Sequence, residues 1–241
     1  MVHEIIDGTY RQTNLTNESE EYLAKREQLR LAEIELMEHR ERVAALHREL
    51  PKGAALLDYE FSEGPTDLNA GDEGMRMLKL SELFTGAGRP LVIYHLMYGK
   101  KQCTPCPMCT LWIDGYNGVA QHIAQNVDFV IVAAAELKAL RHHGRARGWH
   151  NLRLLSAESN AFKFDLGSED AEGGQDSAIS VFTKDEDNTV RHSYTAHPRM
   201  GPKIKERGID LLSPVWNLMD LTPGGRGEWY PSLAYVTKAR H

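Results

Sequence analysis

All three cysteines of the chain fall in one heptapeptide, Cys103-Thr104-Pro105-Cys106-Pro107-Met108-Cys109, which makes two overlapping Cys-x-x-Cys units. A structural disulfide framework would spread its bridges along the chain, so this clustering points to redox chemistry or metal binding. An apolar run ending at Met97 precedes the segment, and a helix-like stretch opens at Pro107 or Met108. Proline is tolerated in a first helical turn because the N–H it lacks would have no partner there. A sulfur at such a strand-to-helix corner faces unsatisfied N–H groups and the positive end of the helix dipole. Both favour thiolate over thiol and lower the pKa from the free value of ~8.5. Lys100 and Lys101 add positive charge nearby. Cys106 is then the attacking sulfur, and Cys109, one turn on, closes the disulfide. Cys103 is an alternative attacker or resolver.

Three thiolates at this spacing also suit one soft ion, copper or zinc. In that reading Cys103, Cys106 and Cys109 hold the metal and His95, His192 or His197 completes the shell. The redox reading requires no cofactor. Its substrate is a thiol or disulfide on a small molecule or a protein, and Tyr94, Tyr194 and Arg199 are the candidates to bind it. A third reading is a binding module without catalysis. Gly224-Gly225-Arg226-Gly227 lacks the Lys-Ser/Thr pair and the preceding strand of a phosphate loop.

The elements around the cysteines set the frame. Pro90–Met97 is a buried-type strand, Cys109 to about Asn126 a helix, and Val127–Val132 a second strand. Glu136 to about Gly148 is a second helix and Leu152–Leu155 a third strand. This alternation calls for a mainly parallel central sheet. After a polar loop at 156–176, Ala178–Thr183 and Thr189–Tyr194 flank an Asp/Asn turn and read as an antiparallel hairpin. A helix with a proline near its start follows at Leu211–Met219. Upstream, Ala54–Phe61 is a strand candidate followed by a Gly/Asp/Asn-rich loop, and Lys79–Phe84 a helical turn. Together these predict an α/β fold with a thioredoxin-like central sheet and flanking helices over residues 53–241. Trp112, Trp216 and Trp229 are expected to pack in it.

Residues 1–52 read as a helical extension. Asn17-Glu18-Ser19-Glu20 supplies capping and acidic first-turn residues, and Tyr22, Leu29, Ala32, Leu36, Val43, Leu46 and Leu50 recur at helical spacing before Pro51. A homodimer through this helix is one expectation. The net charge of −6 gives no electrostatic reason to expect nucleic acid or an anionic membrane as partner. The Arg141–Arg147 cluster reads as the solvated end of a helix. No run approaches the ~20 apolar residues of a membrane helix, and the first residues do not form a secretory signal. A cytoplasmic protein is expected.

The run Tyr94-His95-Leu96-Met97-Tyr98-Gly99, with Cys106-Pro107-Met108-Cys109-Thr110-Leu111-Trp112-Ile113-Asp114-Gly115, resembles a bacterial family of thioredoxin-like proteins known as domain of unknown function 899. Ile179–Phe182, His192–Thr195 and Leu218–Arg226 match further on, in order, so the resemblance covers most of the chain. It implies a thioredoxin-like fold with its Cys-x-x-Cys at Cys106 and Cys109, making Cys103 an addition. Relatives tend to carry Tyr-Ser-Thr-Tyr-x-Arg-Gly where this chain has Tyr194-Thr195-Ala196-His197-Pro198-Arg199-Met200-Gly201, so a histidine replaces an aromatic residue. Thioredoxins place a proline before the first hairpin strand. Here Asp176-Ser177-Ala178-Ile179 carries none, so a general thioredoxin is not expected.

Overall fold

The computed structural model describes residues 15–202, 208–209, 212–225 and 227–235, and the chain divides into two units between Leu50 and Pro51. The described residues of the first form one helix, α1 (Glu20–Arg48). The Ser19 hydroxyl caps it, accepting the Tyr22 N–H at 3.2 Å, while Glu20 and Glu21 meet its positive pole and His47 and Arg48 its negative one. None of its residues is buried.

The second unit is built on a seven-stranded sheet: β1 (Glu60–Glu63), β2 (Arg76–Lys79), β3 (Leu91–Gly99), β4 (Asp128–Ala134), β5 (Arg153–Ser156), β6 (Ala178–Lys184) and β7 (Val190–Ala196). Their spatial order is β2-β1-β5-β4-β3-β6-β7. The helices are α2 (Pro107–Ile123), α3 (Leu137–Arg147), α4 (Phe162–Asp165) and α5 (Pro214–Asp220), with a 3-10 turn at Leu80–Leu83. β3 runs parallel to β4, and β4 to β5; β6 pairs antiparallel with β3, and β7 with β6. A β3-α2-β4 crossover joined to a β6–β7 hairpin through a central β3 is the thioredoxin arrangement, and the fold is thioredoxin-like.

Alternation along β3 separates two cores. Tyr94 and Leu96 face one with Trp112, Ile113 and Tyr116 of α2, Leu140 of α3 and Trp216 of α5. Leu91 and Ile93 face the other with Leu80, Leu83, Phe162 and Phe182. Two glycines are required by close approach. Gly99 ends β3 at a φ of 108° beside Ala134, where an added Cβ would lie 2.2 Å from the Ala134 carbonyl carbon. A Cβ on Gly53 would lie 1.6 Å from the His192 carbonyl oxygen.

Several expectations need correction. The Ala54–Phe61 run is not one strand. Ala55 bridges Arg191 and the Leu56 N–H donates to Val190 O at 2.9 Å, so this part edges β7, while β1 starts only at Glu60 and pairs with β5 through Ser62 and Glu63. β2 emerges at the end of the expected loop, and α4 lies inside the expected 156–176 loop. The Arg141–Arg147 cluster is not solvated. Arg141, 2% exposed, donates to Asp72 Oδ1 and to the carbonyls of Pro65, Asp67 and Gly71, while Arg145 joins it on Asp72. These two guanidiniums hold the Asp72 carboxyl down at about 2. Arg147 pairs with Asp114. Each arginine thus satisfies loop carbonyls or a carboxylate that the chain's folding brings over α3.

His95 is fully buried on the Phe162 side of β3, its ring stacked on Phe162 at 5.3 Å. Ser168 Oγ donates to Lys163 O at 3.1 Å, so it must accept from His95 Nδ1–H at 2.7 Å. His95 Nε2 therefore accepts from Ser180 Oγ at 3.0 Å. Ser180 accepts from Thr195 Oγ1 at 2.8 Å, and Thr195 accepts from His192 Nε2–H at 2.6 Å. This neutral chain ties β3, β6 and β7 to the turn after α4. Burial first, then the charges of Lys163, His197 and His192, pushes His95 well below the ordinary imidazole range.

The folded state thus holds His95 neutral where an unfolded chain would protonate it below ~6.5. The stability this contributes is complete above that pH and is lost as pH falls beneath it, by about 1.4 kcal/mol per pH unit. Burial also lowers His143 and His192, which adds the same sign. Urea unfolding between neutral pH and mild acid is expected to show falling stability, with a slope shallower by about that amount in His95→Asn.

Candidate functional site

The geometry of the sulfurs follows from the amphipathic pattern of α2. Cys109, Trp112, Ile113, Tyr116 and Ala120 recur at three-and-four spacing and are all buried against the sheet. Cys109 is the first member of that stripe and is fully buried. Cys106, one turn earlier, is the N-cap residue, with Pro107 in the first helical position. Its N–H donates to Met97 O at 3.0 Å, and its carbonyl receives both the N–H and the hydroxyl of Thr110 at 3.0 Å. The corner is closed by a turn in which Gly99 and Gln102 exchange N–H···O bonds of 2.8 and 2.9 Å. Gln102 Nε2 adds a bond to Met97 O. Cys103 lies outside the helix in this loop and is exposed.

Cys106 is 8% exposed and lines a cavity of about 70 Å³ with Met97, Met108, Trp112, Asp176, Ser177, Pro198, Arg199 and Tyr230. Asp176 and Ser177 occupy its wall where a thioredoxin would place its proline. Arg199 Nη2 donates to Asp176 Oδ2 at 2.9 Å on the same wall.

The Cys109 thiol is pushed well above its ordinary range by burial, and further by the hydrogen bond it shares with the Cys106 sulfur and by the charge there. The Tyr94 hydroxyl and the Met97 N–H pull it back. Tyr94, fully buried, makes no well-formed hydrogen bond through its hydroxyl but lies beside the Cys109 sulfur. Burial and that neighbour raise its own pKa. Two sulfurs are therefore in contact, one at the mouth and one sealed beneath it.

The other expected site residues fall out differently. Tyr94 supports Cys109 from the core and does not line the cavity, so it is not placed to bind substrate. Tyr194 sits on β7 opposite Val181, also away from the cavity lining, whereas Arg199 does line it. His95 points to the opposite face of the sheet, both ring nitrogens taken by serines. His192 is engaged by Thr195, its ring against Phe182 on that same face. Among the described residues no three His, Cys, Asp or Glu side chains are gathered as metal ligands. Of the histidines expected beside Cys103, Cys106 and Cys109 as copper or zinc ligands, His95 and His192 lie on the far face of the sheet from Cys109, with their ring nitrogens engaged by serine and threonine hydroxyls. Nor is Lys100 a free charge by the thiols: its ammonium pairs with Glu169.

The charge that sequence reasoning missed is Lys163 on α4. Its side chain is 1% exposed, and Nζ donates to Leu96 O at 3.1 Å and Asp176 O at 3.5 Å. Burial lowers its pKa to about 8 against the opposing pull of Cys109, Glu169 and Asp176. Only its place between two phenylalanines, Phe162 and Phe164, hinted at an unusual lysine.

Residues 11–240 match the family described as "Bacterial protein of unknown function (DUF899)". No curated protein matches the chain. Among solved structures, reduced Prx3 of Vibrio vulnificus in complex with hydrogen peroxide is similar over 64% of this chain and 90% of that one, at 20% identity and a TM-score of 0.45. A cysteine-to-serine mutant of PrxQ from Xylella fastidiosa is similar over 68% and 94%, at 15% identity and 0.47. A cysteine-to-serine mutant of peroxiredoxin Q from Xanthomonas campestris, altered at a different position, is similar over 68% and 94%, at 16% identity and 0.47.

The burial order of the sulfurs predicts their labelling order. In the reduced, folded protein a maleimide is expected to modify Cys103 first and Cys106 more slowly. Cys109 should react only after denaturation. Peptide mass spectrometry over a labelling time course reads this directly, and early labelling of Cys109 would contradict the burial described.

Proposed function

The chain belongs to this bacterial family of unknown function, and from that premise we propose that it is a thioredoxin-like thiol–disulfide oxidoreductase, or a thiol-dependent reductase of a small oxidised substrate. One observation carries the reading: Cys106 caps α2 at the wall of a small cavity while Cys109, one turn deeper, touches it from below. The first-turn N–H groups that α2 leaves without intrahelical partners favour negative charge at this corner.

In the reaction, the Cys106 thiolate attacks one sulfur of a substrate disulfide. The substrate S–S bond breaks, the distal sulfur leaves with the electron pair and takes up a proton, and a mixed disulfide remains on Cys106. Cys109, as thiolate, then attacks the Cys106 sulfur, and the second substrate sulfur leaves in the same way. Two electrons and two protons pass from the dithiol to the substrate, and an external dithiol must restore the enzyme. The cavity admits the reacting sulfur, with Arg199 and Asp176 beside it. Cys103, exposed and outside the sulfur pair, is not required.

A thiol-specific oxidant is expected to remove two of three free thiols in the native protein and two of two in Cys103→Ser. In Cys106→Ser no intramolecular disulfide should form between the remaining positions. Cys109→Ser should accumulate a mixed disulfide with a small thiol on Cys106. Thiol titration and intact mass measure each. Retention of three free thiols after oxidation, with stoichiometric copper or zinc in protein purified without oxygen, would replace this reading by the metal one.

A further inference from the structure

The buried Lys163 has no part in the reaction just described, yet it is connected to the deeper sulfur through a single peptide group. Its ammonium donates to the Leu96 carbonyl, and the N–H of the same peptide unit, that of Met97, is directed at the Cys109 sulfur. A second carbonyl, that of Asp176 on the cavity wall, also receives the ammonium. We propose that Lys163 is a positioning residue for the second step, its charge polarising the Leu96–Met97 peptide so that the Met97 N–H steadies the negative charge Cys109 must carry when it attacks. This inference rests on the reading of Cys109 as the resolving sulfur.

The physical case has three parts. A lone buried ammonium is costly unless its donors are satisfied and an anion is near. Here two acceptors are neutral carbonyls, and the titratable groups around the lysine are Glu169 and Asp176 from the segment before β6, Lys100 from the turn after β3 and Cys109 from α2. His95 of β3 also feels its charge, which with burial keeps the ring neutral. Second, a peptide whose carbonyl accepts from a cation becomes a stronger N–H donor, because hydrogen bonds in series polarise one another. Third, the timing is right. While Cys106 is anionic it holds the proton on Cys109; once Cys106 is tied in the mixed disulfide, that opposition vanishes and the field of Lys163 remains. Cys109 then loses its proton, attacks the Cys106 sulfur, and the substrate sulfur leaves with the electron pair of the broken bond.

The test uses full-length protein carrying Cys103→Ser and Cys106→Ser, in which Cys109 is the one thiol and no disulfide within the chain can form. Its ionisation is followed by thiolate ultraviolet absorbance against pH. Adding Lys163→Gln or Lys163→Met is expected to move the transition up by about one pH unit, the lower end of what an adjacent opposite charge does. Lys163→Arg should restore part of it. In the Cys103→Ser protein, Lys163→Gln should slow release of a chromophoric thiol from the mixed disulfide about tenfold at neutral pH. Thermal melting of each variant separates loss of fold from loss of charge. With the lysine unaltered, the Lys163 side-chain carbon resonance gives a second measurement. Lys163 is expected to retain its proton to higher pH when Cys109 is present than in Cys109→Ala, since the coupling is reciprocal. Unchanged Cys109 titration in a folded Lys163 variant, or an unchanged Lys163 midpoint, overturns the proposal. These single-thiol results stand whether or not Cys106 and Cys109 pair on oxidation, so failure of the redox reading shows separately, as absence of that disulfide in the Cys103→Ser protein.

Discussion

The stripe of Cys109, Trp112, Ile113, Tyr116 and Ala120 that packs α2 onto β3 governs the chemistry available to this chain. A large apolar side chain such as Ile113 contributes roughly 1.5–3 kcal/mol on full burial, and with Trp112 and Tyr116 beside it the helix has little freedom to rotate about its axis. With that rotation fixed, the first member of the stripe must be sealed and the residue one turn before it must stand at the cavity. The two sulfurs differ in environment because they belong to successive turns of one helix, and the difference costs no further machinery. Gly99 serves the same end from the strand side. It allows β3 to pass against Ala134 before turning into the cysteine loop, where any side chain would force the corner open.

The sheet divides the polar residues as firmly as the helix divides the sulfurs. Tyr94 and His95 are neighbours in sequence, but the two-residue period of a strand sends one under Cys109 and the other into the Phe162 core. His95 then finds Ser168 and Ser180, and through Thr195 reaches His192, in a chain with one consistent set of donors. Its function is to hold β3, β6, β7 and the α4 turn together with no net charge. A ligand role would require the ring to leave that chain and cross the sheet.

How much of this was legible in the sequence depends on the range of the interaction concerned. The strand expected at Pro90–Met97, the helix opening near Pro107, the hairpin around Asp185–Asn188 and the helix with a proline near its start rest on local period, capping and turn chemistry, and they form close to where those signals put them, the strand running on to Gly99 and the last helix starting at Pro214. The family resemblance was legible in the same local motifs. What local pattern cannot carry is which distant groups meet. Arg141 looked like a solvated helix end because Asp72 and the carbonyls of Pro65, Asp67 and Gly71 lie about seventy residues upstream. Lys163 was unreadable for the same reason, since its acceptors belong to β3 and to the segment before β6. His95 adjoins the cysteine loop in sequence, but the two-residue period of β3 turns its ring to the far face of the sheet.

The placing of charge around the sulfurs is the last consequence of the fold. The expected source, Lys100, is spent on Glu169 at the surface, where solvent and salt would weaken its effect on the thiols. Lys163 instead lies in the interior, where the field of a single charge is strong and unscreened, and the Leu96 and Asp176 carbonyls that solvate it belong to the strand end and the cavity wall. In the proposed second step, burial alone would make Cys109 a poor nucleophile by keeping its proton, and exposure alone would cost it shielding from oxidants. A cation acting through the backbone, as proposed for Lys163, would favour the anion without opening the site to water.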